Sequence, residues 1–245
     1  MKYSVITISW NSEETIERTI QSIFSQSVLP YEYIFVDGGS DDRTLSIIEA
    51  MMSKFRDAGV KTQLIKQPRG GGIAHAWNMG IRAARGEWIF ILNSDDWYDS
   101  NCAERVSKAA AVRADADLIV GSTRLYDDSA DTAGTLHRSR SACLFPFLNP
   151  INHPACFIKK TVYDEIGYYS EDYRVASDYD FLYRCAKVGK KIVRDSDIIV
   201  ERMAGGYAEQ NKVTSRQELR SIGKKYCKCS FLPEIAYRMR CMLGR

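Results

Sequence analysis

No cysteine of this chain stands in a CxxC pair, no apolar run approaches the ~20 residues that cross a bilayer, and no linker rich in glycine, proline or serine divides it. The seven cysteines are an odd number, and only Cys227 and Cys229 lie close together. That pattern indicates neither a structural zinc site nor a disulfide framework, and the two read as ordinary thiols near a helix end. Net charge is also slight, at +3 over 245 residues, and no stretch interleaves basic residues with aromatics as a nucleic-acid groove requires. There is no internal repeat, and the first residues enter a strand pattern directly. A cytoplasmic, reducing location is the expectation. A hydrophobic content of 45% and a charged content of 27% are ordinary for a globular protein, and the length suffices for one large α/β domain.

What is present is organised around Trp88-Ile89-Phe90-Ile91-Leu92-Asn93-Ser94-Asp95-Asp96. Five consecutive large apolar residues predict a strand buried on both faces, as in a parallel sheet. Two carboxylates follow where that strand leaves the core. Ligands of α/β proteins bind at the carboxyl ends of parallel strands, and hard oxygens there suit Mg²⁺ or Mn²⁺ held against phosphates. A second reading stands beside this one, in which Asp95 or Asp96 caps a helix starting near Asn101.

Strand and helix patterns alternate on both sides of this stretch. A first strand over Tyr3–Ser9 empties into Ser9-Trp10-Asn11, and Asn11 with Glu14 forms a plausible capping box for a helix carrying Ile16, Ile20, Ile23 and Phe24 on one face. A second strand, Tyr33 to Val36, runs into Asp37-Gly38-Gly39-Ser40-Asp41-Asp42. Leu45, Ile48, Met52 and Phe55 share one face of the next helix, and residues 60–66 read as a third strand. Arg69-Gly70-Gly71-Gly72 permits positive φ and close backbone approach to a ligand, but it lacks the GxGxxG spacing of a dinucleotide fingerprint. A helix over 73–84 leads into the central strand, and a further strand is expected at 117–121. Such short crossovers require a mostly parallel sheet with helices on both faces. Residues 124–149 are polar and aperiodic, and are expected to be mobile or to form a small hairpin over the site. A strand at 155–158, a helix at 176–187 with Phe181, Leu182 and Cys185 inward, and a strand at 198–203 complete the domain. The division expected is a first α/β half at 1–121, a second half of the same domain at 122–211, and a basic helical extension at 212–245.

Four of these stretches, Ser9-Trp10-Asn11, Val36-Asp37-Gly38-Gly39-Ser40-Asp41-Asp42-Arg43-Thr44, Asn93-Ser94-Asp95-Asp96 and Ser177-Asp178-Tyr179-Asp180, coincide in order and spacing. Together they resemble the family 2 glycosyltransferases of the GT-A fold, over about residues 3–205. The resemblance implies transfer of a sugar from a nucleotide diphosphate, UDP above all, to an acceptor hydroxyl, with inversion and with Mn²⁺ or Mg²⁺ as cofactor. By the same resemblance Asp37 contacts the nucleobase, Thr7, Ser9 and Asn11 line the base pocket, and Arg69 meets the donor sugar or its phosphates. The family's DxD motif falls on Asn93-Ser94-Asp95, which makes Asp95 the metal ligand and puts Asn93 by the ribose or metal. Asn93 departs from the motif by one charge, a loss that Asp96 could share.

The family's catalytic base matches Asp178, although Ser177 precedes it where Glu is usual. An acceptor hydroxyl must lose its proton as it attacks an oxocarbenium-like carbon opposite the leaving diphosphate, and a carboxylate suits that role. The bland alternatives are a helix cap for Asp178 and a structural place for Asp180. His153 faces the acceptor or the diphosphate on one reading and is a satisfied structural histidine on the other. The resemblance further implies that Asn78 supports the glycine loop, that His75 stands where relatives often carry an acid, and that Gly205 and Gly206 form a loop near the diphosphate where Arg202 neutralises phosphate. The tail from Lys212 bears nine cations, among them Arg238, Arg240 and Arg245, against Glu218 and Glu234. It also carries Phe231, Ile235, Met239 and Leu243. Such a helix either rests on the inner face of an anionic membrane, which suits a lipid-linked acceptor in bacterial polysaccharide synthesis, or packs on the domain. Rival functions are a sugar nucleotidyltransferase, which would need a basic glycine loop after the first strand, and a catalytically silent partner subunit binding nucleotide or glycan.

Overall fold

The computed structural model describes residues 1–126, 134–229 and 231–242. Residues 127–133 of the expected hairpin segment, and Leu243 and Arg245 of the tail, lie outside the described residues. One sheet carries the chain, in the order β3-β2-β1-β4-β8-β6-β9-β5, with β7 paired to β6. Its strands are β1 (Tyr3–Ser9), β2 (Glu32–Asp37), β3 (Lys61–Lys66), β4 (Trp88–Ile91), β5 (Asp96–Tyr98), β6 (Leu118–Tyr126), β7 (Thr135–Arg138), β8 (Cys156–Lys159) and β9 (Ile192–Met203). The first four strands are mutually parallel, while β8 runs against both β4 and β6 and β9 runs with β6. The mostly parallel α/β sheet expected from the sequence is present.

Adjacent residues of one strand serve opposite faces, and this is why the strands read as unbroken apolar runs. Ile6, Ile34 and Ile89 pack with Trp77, Val162 and Phe181 on one side; Val5, Phe35 and Phe90 pack with Ile20, Ile48 and Val106 on the other. The helices that cover the sheet are α1 (Ile16–Phe24), α2 (Thr44–Asp57), α3 (Gly72–Ala83), α4 (Cys102–Val112), α5 (Lys160–Ile166), α6 (Ser177–Lys187), α7 (Tyr207–Gln210), α8 (Lys212–Tyr226) and α9 (Phe231–Met242). Gly80 of α3 faces Ile6 so closely that a Cβ would lie 2.5 Å from its side chain, so the helix seats directly on β1.

Several local expectations are corrected. The strand expected at 117–121 continues to Tyr126 and forms a hairpin with β7, so a boundary at residue 121 would cut a strand. The strand expected at 198–203 begins at Ile192, beyond an irregularity in register opposite Val120 and Ser122. The strand β5 was not anticipated at all. The capping box does not form: α1 begins at Ile16, and Asn11, at φ 47, instead accepts from the Asp41 N–H through its side-chain oxygen. The tail does pack on the domain through α8, whose Ile222 is fully buried against the α6 side of the core.

Candidate functional site

The carboxyl ends of β1, β2 and β4 deliver the acidic and polar loops to one edge of the sheet, as a parallel arrangement requires. Asp37 ends β2 opposite Ser9 and is 1% exposed. Its Oδ1 accepts from the Ser9 and Ser40 hydroxyls at 3.1 and 2.6 Å, and its Oδ2 from the backbone N–H groups of Gly39 and Ser40, both at 2.9 Å. A carboxylate offers about four lone-pair sites, so this one is saturated by its own turn. Asp42 receives the Thr44 N–H at the start of α2, at 2.9 Å. Arg69 crosses from the glycine loop to this turn: its guanidinium lies 3.4 Å from Asp41, and its stem fills the space beside Gly39. Gln67, rather than Asn78, supports the glycine loop, donating to the Gly72 carbonyl at 2.8 Å. Asn78 braces residues 169–171 instead, bonding Tyr169 and Glu171. Glu171 also meets His75 at 3.1 Å, which brings a carboxylate to that position from elsewhere in the chain.

The Thr7 assignment to the base pocket is corrected. Thr7 lies within β1, is fully buried, and shares a hydrogen bond of 2.9 Å with the Tyr33 hydroxyl. Ser9 and Asn11 do reach the loop edge, where Trp10 between them is 68% exposed.

The acidic turn after β4 is fixed from three sides. The Trp77 indole N–H donates to Asn93 Oδ1 at 3.2 Å, the Ser12 and Ser94 hydroxyls lie 2.8 Å apart, and the Thr19 hydroxyl reaches the carbonyls of Ser94 and Asp96. Asp95 is half-exposed, whereas Asp96 is 2% exposed at the head of β5. Burial first, and then the neighbouring Asp95, push the Asp96 carboxyl well above the usual range; Arg202, a hydrogen bond from Asn93, and Arg18 pull it back. Asn93 therefore serves two neighbours, and a carboxylate in its place could not donate to Asp96. The Arg18 guanidinium lies over the Trp97 ring at 3.7 Å, within the field of Asp95 and Asp96.

Arg202 is paired in register with Asp96 across β5 and β9, and is held by Glu209 at 3.5 Å. Gly205 donates its N–H to the same carboxylate at 2.9 Å, and Gly206 lies against the arginine. The field of Arg202 also reaches Asp178, as the weakest of the influences on that carboxyl. Asp178 lies in the first turn of α6. Its Oδ1 accepts from the Tyr179 N–H at 2.7 Å and its Oδ2 from the Asn149 amide at 3.1 Å, and burial raises its pKa to about 6. Asp180 is structural, held by Arg184 at 2.9 Å and by the Tyr226 hydroxyl at 2.8 Å.

The reading in which His153 faces the acceptor or the diphosphate is corrected. The ring is 6% exposed, stacks on Trp77 with centroids 4.4 Å apart, and bonds the Tyr169 hydroxyl at 2.9 Å. Burial lowers its pKa to about 3, so it packs as a neutral ring beneath the indole that holds Asn93. The contributions of Trp77, Arg18 and Asn149 carry no local sequence signal, because their partners lie 16, 77 or 78, and 29 positions away.

Among the described residues no three His, Cys, Asp or Glu side chains converge to hold a cation by themselves. One half-exposed carboxylate, Asp95, still fits Mg²⁺ or Mn²⁺, because such ions take one or two carboxylates and complete their shell with phosphate oxygens and water.

The family model described as Glycosyl transferase family 2 matches residues 4–170. A PGL/p-HBAD biosynthesis glycosyltransferase of Mycobacterium bovis is 27% identical over 199 residues, covering 81% of this chain and 75% of that protein. The crystal structure of Staphylococcus aureus TarS 1-349 in complex with UDP superposes with a TM-score of 0.70 at 18% identity, over 97% of this chain and 70% of that one. Against another TarS crystal structure the chain spans 42% of that chain's length. The mannosyltransferase PcManGT from Pyrobaculum calidifontis, in complex with GDP-Man and Mn²⁺, superposes with a TM-score of 0.67 at 20% identity, covering 98% and 69%. At these identities the solved structures establish the fold.

Proposed function

The chain belongs to glycosyl transferase family 2, and from that premise we propose that it transfers a sugar from a UDP-sugar to an acceptor hydroxyl with inversion. The observation that carries this reading is that the carboxyl ends of β2 and β4 bring Asp37 and the Asn93–Asp96 turn to one edge of the sheet, with Arg202 in register with Asp96. TarS, of the same fold, is described in complex with UDP. The uracil lies at the turn that Asp37 organises, between the Ser9-Trp10-Asn11 loop and Arg69. Asp95 faces the diphosphate and, with Asn93 beside it, would hold Mn²⁺ or Mg²⁺. That cation would offset the charge growing on the leaving diphosphate.

Asp178 accepts the proton of the acceptor hydroxyl while the acceptor oxygen bonds to the anomeric carbon. The bond from that carbon to the phosphate oxygen breaks as the new one forms, and UDP departs with the electron pair. A carboxyl with a pKa of about 6 suits the task, being ionised at neutral pH yet more basic than an exposed aspartate. Arg202, held by Glu209 next to Gly205 and Gly206, supplies fixed positive charge beside the diphosphate.

A lipid-linked acceptor is supported by α9. Phe231, Ile235, Met239 and Met242 are exposed along one side of it, opposite the buried Pro233 and Ala236, with Arg238, Lys224, Lys225 and Lys228 exposed nearby. An apolar stripe bordered by cations matches an anionic bilayer surface. No helix among the described residues is long and apolar enough to cross a membrane.

Thermal unfolding with and without UDP and Mn²⁺ tests the donor site. Ligand at about 100 times Kd adds roughly 2.7 kcal/mol and raises Tm by several degrees. The wild type should show this shift with UDP and Mn²⁺ together, and Asp95→Ala should lose the metal-dependent part. Equal shifts in both proteins would remove Asp95 from the site.

A further inference from the structure

A cavity of about 730 Å³ opens beside the α6 carboxylate, in the size range of small-ligand sites. Asn149 is its common wall with the reaction centre: it lines the cavity and donates to Asp178 at 3.1 Å. The facing wall is the outgoing end of the β6–β7 hairpin, and it brings Arg138, Arg140 and His137 to the same space. The two walls are tied together. The Asn152 amide donates to the His137 carbonyl at 2.7 Å, the Asn152 N–H to the Ser139 hydroxyl at 3.2 Å, and the Arg140 N–H to the Pro150 carbonyl at 2.6 Å.

Both arginine side chains are exposed to the cavity, and among the described residues neither forms an ion pair with an acidic side chain. Some surface arginines are matched, as Arg43 is by Glu13 and Arg220 by Glu234, while Arg56, Arg105, Arg113 and Arg194 are exposed with no ion pair among the described residues; what sets Arg138 and Arg140 apart is that both line one cavity. Two guanidinium groups two residues apart, in one cavity and unmatched, form a site for an oxyanion, since each presents a planar fork of donors. The donor's own diphosphate is assigned above to Asp95 and Arg202, neither of which lines this cavity.

We propose that this cavity is the acceptor subsite and that the acceptor carries a phosphate or carboxylate group, held by Arg138 and Arg140 while its hydroxyl reaches Asp178. The proposal rests on Asp178 being the base. Asn149 then reports between the two parts of the site, touching the acceptor's cavity and the carboxylate that deprotonates it. Leu136 and Leu148 flank the cavity with apolar surface suited to the carbon skeleton of the acceptor.

The test is calorimetric titration of the full chain saturated with UDP and Mg²⁺, using glycerol 1-phosphate and glucuronate as probes and glycerol and glucose as their uncharged counterparts. At least one anion should bind more tightly than its counterpart, more weakly as salt rises, and at least about tenfold more weakly to R138Q/R140Q. UDP affinity should be the same in both proteins. Preference for glycerol 1-phosphate identifies the group as phosphate, and preference for glucuronate as carboxylate. Neither anion outcompeting its uncharged counterpart, or undiminished binding to R138Q/R140Q, overturns the proposal. Failure of the wild type to bind UDP at all would instead count against the donor site.

Discussion

The side-chain amide of Asn149 donates to Oδ2 of Asp178 at 3.1 Å, across 29 positions of sequence, and favours the ionised form of a carboxyl that burial drives the other way. A base must be ionised to accept a proton. The rate kcat/KM should therefore rise with pH through about 6 and level off above it. Asn149→Ala removes a stabiliser of the carboxylate, so the rising limb should move to higher pH, by about one unit. The stability effect of Asp178 has the opposite sense. A carboxyl raised from 3.8 to about 6 favours the folded state at low pH, and this contribution is lost as pH rises between those values. A pH–rate profile of wild type and variant checks the first point, and an unmoved limb would separate Asn149 from the base.

Asn93 stands where related motifs carry a carboxylate, and the structure gives a physical reason: it accepts from Trp77 and donates toward a buried Asp96. Asn93→Asp keeps the acceptor and removes the donor, placing a third carboxyl group beside Asp95 and Asp96. Without metal the variant should be less stable by about 1–3 kcal/mol, lowering Tm by several degrees. With UDP, Mn²⁺ should stabilise it by a larger increment than it stabilises the wild type. Calorimetric scans with and without Mn²⁺ check both signs, and an unchanged metal-free Tm would remove the proposed role of the amide.

Much of the fold was legible because its central strands are apolar on both faces, so Val5, Ile6, Phe35, Ile34, Phe90 and Ile89 form runs that no exposed strand would carry. The breaks in legibility have local causes. The three residues of β5 begin with a buried aspartate whose partner, Arg202, lies far along the chain, and sequence alone reads such an acid as a loop residue. The first half of β9, with Arg194, Asp195, Ser196 and Asp197, is mostly exposed and shows no apolar alternation. His153 looked like a candidate because its type is reactive, yet the fold sandwiches it between Trp77 and Tyr169. In the sequence, Asp178 stands out only through the family resemblance. The cavity lined by its partner Asn149 has no sequence signal, because its walls come from β7 and from residues 138–140 and 148–152.

The exposed stripe of α9 leads to a binding experiment. The wild type should sediment with vesicles of phosphatidylglycerol and phosphatidylcholine, less so as salt rises, and much less with phosphatidylcholine alone. F231S/I235S/M239S, altering side chains that are 58%, 47% and 52% exposed, should stay folded and lose most of that sedimentation. Equal sedimentation of both proteins would remove α9 as the contact.

The most direct test of the central claim is proton NMR of the sugar first released when the protein, with Mn²⁺, slowly hydrolyses a panel of α-linked UDP-sugars. Water attacking from the Asp178 side displaces UDP once, so the β-anomer should appear first and mutarotate later. Asp178→Asn should slow its appearance by about 10²–10⁴-fold while leaving UDP binding intact. Initial release of the α-anomer, or an undiminished rate in Asp178→Asn, would contradict single displacement driven from Asp178.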